Sequence, residues 1–238
     1  MKSVRKNYRR QHEQHQIYRH HRRADIGRVR QDGDGVIICG DSLEVMRGMN
    51  TGSVDMVFTS PPFKDEDVTG EYWKLYDSWF SEMSRVASKV VCIIHSATKL
   101  NHLITNYPPN RVMIWGKGFS QYSYRWNPIL LYQKSDDYKI NKYIWSDAFA
   151  IQSVQGKNKA HKYQDPLLLY QTIIRMFKGC DTVLDPFCGS GTTGEACAIE
   201  GRQFVGIELN PEYVKLAEAR LIATPQSLFN QSILQETS

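Results

Sequence analysis

The segment Asp185-Pro186-Phe187-Cys188-Gly189-Ser190-Gly191-Thr192-Thr193-Gly194 carries more architectural information than any other part of the chain. It follows a short apolar run with the composition of a strand, Thr182–Asp185, and opens the helical pattern Thr192–Glu200. Glycines let a backbone turn sharply and approach a ligand closely. The free amides of a helix N-terminus face an electron-rich group. A second strand, Gln203–Glu208, ends in an acid 19 residues after Gly189, where a carboxylate can accept both hydroxyls of a ribose. Strand, glycine turn, helix, strand and acid together predict a nucleotide-binding α/β unit.

Gly189, Gly191 and Gly194 also satisfy GxGxxG, the phosphate turn of dinucleotide folds. Here, however, Asp185-Pro186-Phe187-Cys188 separates the strand from the first glycine. A carboxylate at that point repels a pyrophosphate. It suits a ligand carrying an ammonium, such as the methionine part of S-adenosylmethionine. Asp185, Phe187, Gly189, Ser190, Gly191, Thr192, Thr193 and Glu208 are therefore the candidates for cofactor binding.

Upstream of this unit, strand-length apolar runs recur at Val36–Gly40, Val54–Ser60, Lys89–His95, Arg111–Gly116 and Ile129–Gln133, which brings the total to seven strands. Helical patterns fall at Ser42–Met49, Trp73–Ala87, Leu167–Phe177 and Pro211–Leu221, the last with Asn210 as cap and proline at the first position. The runs are solidly apolar, as strands covered on both faces are. The expected fold is α/β: a doubly wound, mostly parallel seven-stranded sheet of Rossmann-like character. No helix separates Arg111–Gly116 from Ile129–Gln133, so these two read as a hairpin. The glycine unit normally begins such a fold. Here it lies near the C-terminus, so the topology reads as circularly permuted.

Charge divides the chain further. Residues 1–30 hold ten Lys/Arg against Glu13 and Asp25, a balance of +8, while the whole chain carries +5 and the remainder therefore −3. We read residues 1–33 as a basic arm suited to a polyanion, whose phosphate contacts weaken with salt. Residues 34–224 form the catalytic domain. Residues 136–163, polar and aromatic, form an insertion, and residues 225–238 are a weakly ordered tail. Cys39, Cys92, Cys180, Cys188 and Cys197 form no CxxC pair and read as reduced, buried thiols. The four histidines of the arm fit no metal-ligand spacing, so no metal is expected. There is no bilayer-length apolar run and no signal-like N-terminus, which points to a cytoplasmic protein without a membrane partner.

The strand Val54–Thr59 ends in Ser60-Pro61-Pro62-Phe63. Open α/β sheets bind ligands beyond the carboxyl ends of their strands. Two prolines stiffen the backbone there, so the Ser60 hydroxyl and Pro61 carbonyl offer acceptors for an NH2 group and Phe63 offers a ring for stacking. Ser60, Pro61, Pro62 and Phe63 are the catalytic candidates.

With both loops in view, residues 36–222 resemble the DNA amino-methyltransferases. Their catalytic loop reads (Asn/Asp/Ser)-Pro-Pro-(Tyr/Phe/Trp) and their cofactor loop Asp-Pro-Phe-x-Gly-Ser-Gly-Thr-Thr. The order of the loops matches the permuted beta group. The resemblance implies the methyltransferase fold, S-adenosyl-L-methionine as cofactor, and double-stranded DNA with the target base flipped out as substrate. It implies a site-specific enzyme of a bacterial, archaeal or phage restriction-modification system, and leaves a homodimer and a cognate restriction enzyme open. Asp41, in Gly40-Asp41-Ser42, matches an aspartate near the cofactor's adenine. Trp115-Gly116-Lys117 resembles a motif of the target-base pocket. His161–Leu169 resembles the segment at the methionine end, although Asp165-Pro166 stands where many members have Lys-Pro. Members with serine in the loop are mostly cytosine-N4 enzymes, so cytosine N4 is the expected target. Adenine N6 is the alternative, and an RNA or protein amino-methyltransferase is more remote. No Pro-Cys dipeptide is present, which argues against cytosine-C5 chemistry.

Overall fold

A computed structural model describes residues 35–62, 70–117, 126–135, 138, 146–154 and 165–224. The basic arm, Phe63 and the tail lie outside the described residues, as does most of 136–163.

The strands are β1 (Val36–Cys39), β2 (Val54–Thr59), β3 (Ala87–Ile94), β4 (Arg111–Gly116), β5 (Trp126–Gln133), β6 (Ala148–Ala150), β7 (Thr182–Asp185) and β8 (Gln203–Glu208). The helices are α1 (Ser42–Gly48), α2 (Gly70–Val86), α3 (Leu100–Asn106), α4 (Leu167–Met176), α5 (Thr192–Ile199) and α6 (Pro211–Ala223), with a 3-10 turn at Ala97–Lys99. Among the described residues they build one eight-stranded sheet in the order β1-β8-β7-β2-β3-β5-β4-β6. All pairings are parallel except those of β5, which runs antiparallel to β3 and β4. The expected hairpin is therefore β4–β5. The count differs from expectation by one strand: residues 148–150, read as part of an irregular insertion, extend the sheet edge beside β4. Three residues are too few to show a period in sequence.

Alternation along the strands divides the core in two. Met56 and Phe58 of β2, with Val90, Cys92 and Ile94 of β3, face α4 and α5 through Leu169, Tyr170, Ile173 and Ala196. Val57, Val91 and Ile93 face the opposite layer, where Tyr76, Trp79, Met83 and Val86 of α2 recur at helical spacing. Both faces of the central strands are thus buried, as their apolar runs required. Cys92, Cys180, Cys188 and Cys197 are buried as expected, but Cys39 at the end of edge strand β1 is exposed. No described helix is long and apolar enough to cross a membrane.

Tight packing explains one glycine of the nucleotide loop. A Cβ on Gly194 in α5 would lie 2.7 Å from Phe204 Cε1 and 2.9 Å from Leu221 Cδ2. Alanine raises helix propensity by up to about 1 kcal/mol, but overpacking costs about 1–3 kcal/mol, and Phe204 is only 1% exposed and cannot swing aside. Gly194→Ala should lower the melting temperature by roughly 2–8 °C in a thermal-unfolding measurement; an unchanged midpoint would refute the packing account.

Candidate active site

Parallel pairing of β2 with β7 aligns Met56 with Val183 and Val57 with Leu184. The carboxyl ends of the two strands are therefore adjacent although 126 residues separate Thr59 from Asp185. The two loops read from sequence as catalytic and cofactor-binding leave the sheet side by side. Ser60 is half-buried at the end of β2, Pro61 is buried and Pro62 is exposed.

Asp185 holds this corner together. Its carboxylate is 3% exposed. Oδ1 accepts hydrogen bonds from Thr59 Oγ1 at 2.7 Å and from the Phe187 amide at 3.0 Å, and Oδ2 accepts one from Thr193 Oγ1. A carboxylate offers about four acceptor positions, so three are filled from within the protein. Burial pushes the Asp185 carboxyl up to about 6, the Glu208 charge adds to the rise, and the three donors oppose it. The ammonium partner read from sequence at Asp185 therefore has at most one acceptor position left. The residue's principal engagement is internal.

The glycine turn has two different reasons for its composition. Gly191 sits in the left-handed region at φ +83°, and a Cβ there would lie 2.9 Å from Ala217 Cβ on α6. Gly189 has φ +51°, with no described atom within 4 Å of where its Cβ would be. Gly191 permits close packing on α6, and Gly189 opens toward free space where a ligand can approach. Ser190, Thr192 and Thr193 are buried under the turn. Arg220 of α6 braces it from below: its guanidinium donates to Thr192 Oγ1 at 3.0 Å and pairs with Glu195.

Glu208 ends β8 facing the same turn. Its Oε2 accepts from the Gly189 amide at 3.0 Å and its Oε1 from the Asn210 amide at 2.7 Å. Burial raises its carboxyl, and these amides hold it down. The Glu208 carbonyl accepts from Gly40 N–H at 3.0 Å, which brings Asp41 alongside. Asp41 caps α1, its Oδ1 accepting from the Leu43 and Glu44 amides, and Ser42 Oγ donates to the Pro186 carbonyl at 2.5 Å. Phe187 is half-buried and meets Trp79 of α2 edge-on, with ring centroids 4.8 Å apart. Open space over Gly189 beside the Glu208 carboxylate fits a nucleoside cofactor.

Other candidates settle differently. Trp115 is 1% exposed and donates its indole N–H to the Ile151 carbonyl at 2.7 Å, so it anchors the segment after β6. Lys117 Nζ lies 5.2 Å over its ring. Asp165 accepts from the Tyr170 hydroxyl at 2.9 Å, and Tyr170 packs on Phe58 with centroids 4.7 Å apart. Sequence reasoning missed Thr59, Ser42, Trp79 and Arg220. Thr59 stands one position before the recognised loop, but nothing in its local pattern indicates a partner on β7. Arg220 looks like an ordinary surface cation in the last turn of α6.

Comparison with known proteins shows what the chain is similar to. The profile of a family described as DNA methylase matches residues 54–219. The type II methyltransferase M.HinfI of Haemophilus influenzae is 26% identical over 244 aligned positions, covering 78% of this chain and 67% of that protein. The DNA adenine methyltransferase YhdJ of Escherichia coli K12 is 27% identical over 243, covering 78% and 82%. Among solved structures, the cytosine-N4-specific PvuII DNA methyltransferase superposes with a TM-score of 0.65, at 21% identity and over 79% of this chain and 86% of that one, which shows the fold. M1.HpyAVI, solved with S-adenosylmethionine, superposes with a TM-score of 0.61 at 26% identity, over 78% and 98%.

Hydrogen bonds to a charged group contribute about 1.5–3 kcal/mol each. Glu208→Ala should therefore weaken S-adenosylmethionine binding by roughly 10- to 100-fold in calorimetry, with the circular dichroism spectrum retained. Equal affinity in variant and wild type would remove Glu208 from the cofactor site.

Proposed function

The chain belongs to the N4-cytosine/N6-adenine DNA methylase family, and on that premise we propose that it methylates the exocyclic amine of a flipped base in DNA, cytosine N4 being the target. The observation that carries this reading is the 2.7 Å hydrogen bond from Thr59 to Asp185, which joins the Ser60-Pro61 loop to the cofactor turn. A methyl donor and an amine acceptor must react in line, and two loops held this closely can bring the two together.

S-adenosylmethionine, when bound, supplies a methyl group on a sulfonium, a good leaving group. Glu208 would accept the ribose hydroxyls, Gly189 would let the backbone approach, and Phe187 with Asp41 would help hold the nucleoside. The target amine is a weak nucleophile because its lone pair is delocalised into the ring. The Ser60 hydroxyl and the Pro61 carbonyl accept its two hydrogens, which favours a tetrahedral nitrogen and stabilises the positive charge that develops there. Pro62 fixes the loop, and the ring of Phe63, which lies outside the described residues, would be the group to stack on the base. No cysteine nucleophile is required, and Cys188, the thiol in the cofactor loop, is buried. Extruding the base from the duplex costs a few kcal/mol. The basic arm and the 136–163 segment supply phosphate and groove contacts. Serine at the first position of the catalytic loop supports cytosine N4. The kinship with an adenine methyltransferase keeps adenine N6 as the second reading.

Mass spectrometry of nucleosides from methyl-free DNA incubated with the chain and S-adenosylmethionine should reveal N4-methylcytosine. N6-methyladenine alone would overturn the base assignment, and no methylated nucleoside at all would overturn the function. In the same assay Ser60→Ala should reduce the transfer rate roughly 100-fold while leaving cofactor affinity within about threefold.

A further inference from the structure

We propose that Thr59 is a positioning residue which, through the Asp185 carboxylate, couples the loop that holds the methyl donor to the loop that presents the target amine. The inference deepens the methyltransferase reading and rests on it.

One carboxylate gathers donors from both loops. From the donor side come the Phe187 amide, in the glycine loop, and Thr193 Oγ1, in the first turn of α5. From the acceptor side comes Thr59 Oγ1, fully buried at the last position of β2. Thr59 is joined by a single peptide to Ser60, and Pro61-Pro62 follow, so there is little backbone freedom to absorb a displacement. A shift of Asp185 with the glycine loop is thus passed to Ser60. Donors to one ionised oxygen pair also compete for the same charge, so what one loop gives up strengthens the bonds of the other. The arrangement supplies a physical link between two binding events through the fully buried hydroxyl of Thr59.

The groups facing Asp185 determine how the link responds to pH. Glu208 on β8 is the charged neighbour and raises its carboxyl further. Tyr170 from α4, Cys188 in the loop and Cys197 from α5 also feel the Asp185 charge. Burial holds all three of these above their ordinary values, so they stay neutral across the range in which Asp185 titrates. As pH falls through about 6 the shared acceptor loses its charge, and its bonds to Thr59 and Thr193 drop to neutral strength. The link is therefore at full strength above that point and weakened below it. Removing one donor to the charged form raises the carboxyl further.

The test is single-turnover methylation of methyl-free DNA by wild type, Thr59→Val and Thr59→Ser, with enzyme and S-adenosylmethionine saturating, alongside calorimetric cofactor affinity. Thr59→Val keeps the shape and removes the hydroxyl; Thr59→Ser keeps the hydroxyl. Coupling predicts that Thr59→Val lowers the transfer rate about tenfold with cofactor affinity within about threefold, that its acidic limb lies at higher pH than in wild type, and that Thr59→Ser restores both rate and limb. A wild-type rate and limb in Thr59→Val overturns the coupling, as does a loss confined to cofactor affinity, which would make Thr59 a prop of the glycine loop alone. If Thr59→Val does not fold, the wild-type profile decides: a transfer rate that stays flat between pH 5 and 7 overturns the proposal. Absence of any methyl transfer by wild type refutes the enzymatic reading itself, whereas an active wild type with an indifferent Thr59→Val refutes only the coupling.

Discussion

A carboxylate sealed away from water at the junction of two parallel strands is the constraint on which the active corner depends. Burying the Asp185 charge is unfavourable unless hydrogen bonds replace its lost hydration. Thr59, Thr193 and the Phe187 amide supply them from three different stretches of chain. Each of those stretches is thereby fixed relative to the others. Loss of one donor leaves the buried charge less well matched and raises the carboxyl further. A weaker neutral bond would hold the same atoms with far less authority over their positions.

The sheet delivers this junction. Strands buried on both faces cannot slip register without moving apolar side chains into the wrong layer, and Val57 with Leu184 on one face and Met56 with Val183 on the other lock β2 to β7. Helices on both sides then differ in task. On one face α4 and α5 pack close against the strands beneath the glycine turn. On the other, α2 brings a row of aromatic rings whose member Trp79 reaches Phe187 in the cofactor loop. The turn is consequently held from below by Arg220, from the side by Trp79 and at its root by Asp185, while its upper surface at Gly189 is left clear.

Much of this was legible in the sequence, because the signals are local. Apolar runs marked the strands, and their ends fell within two or three residues of the observed ones. The proline-proline and glycine loops exposed their chemistry through residue type alone. What escaped was non-local or brief. Strand β6 is three residues long, and α3 follows its 3-10 turn with no strong apolar period. Thr59 and Asp185 each read sensibly alone, but their partnership exists only once β2 and β7 are neighbours. For the same reason the sequence assigned Asp185 outward, toward a ligand, whereas burial and three internal donors turn most of its capacity inward. Trp115, read as part of a base pocket, likewise proves to be a buried anchor for the backbone at Ile151.

Edge strand β1 ends with Cys39 in register with Glu208. Partial burial together with the negative field of Glu208 and Glu218 holds this thiol above its ordinary range. Nucleophilic sulfur chemistry proceeds through the thiolate. The Glu208 carboxylate at the end of β8 thus also quiets the single exposed thiol among the chain's five cysteines. Peroxide or a disulfide reagent meets a protonated, sluggish group there.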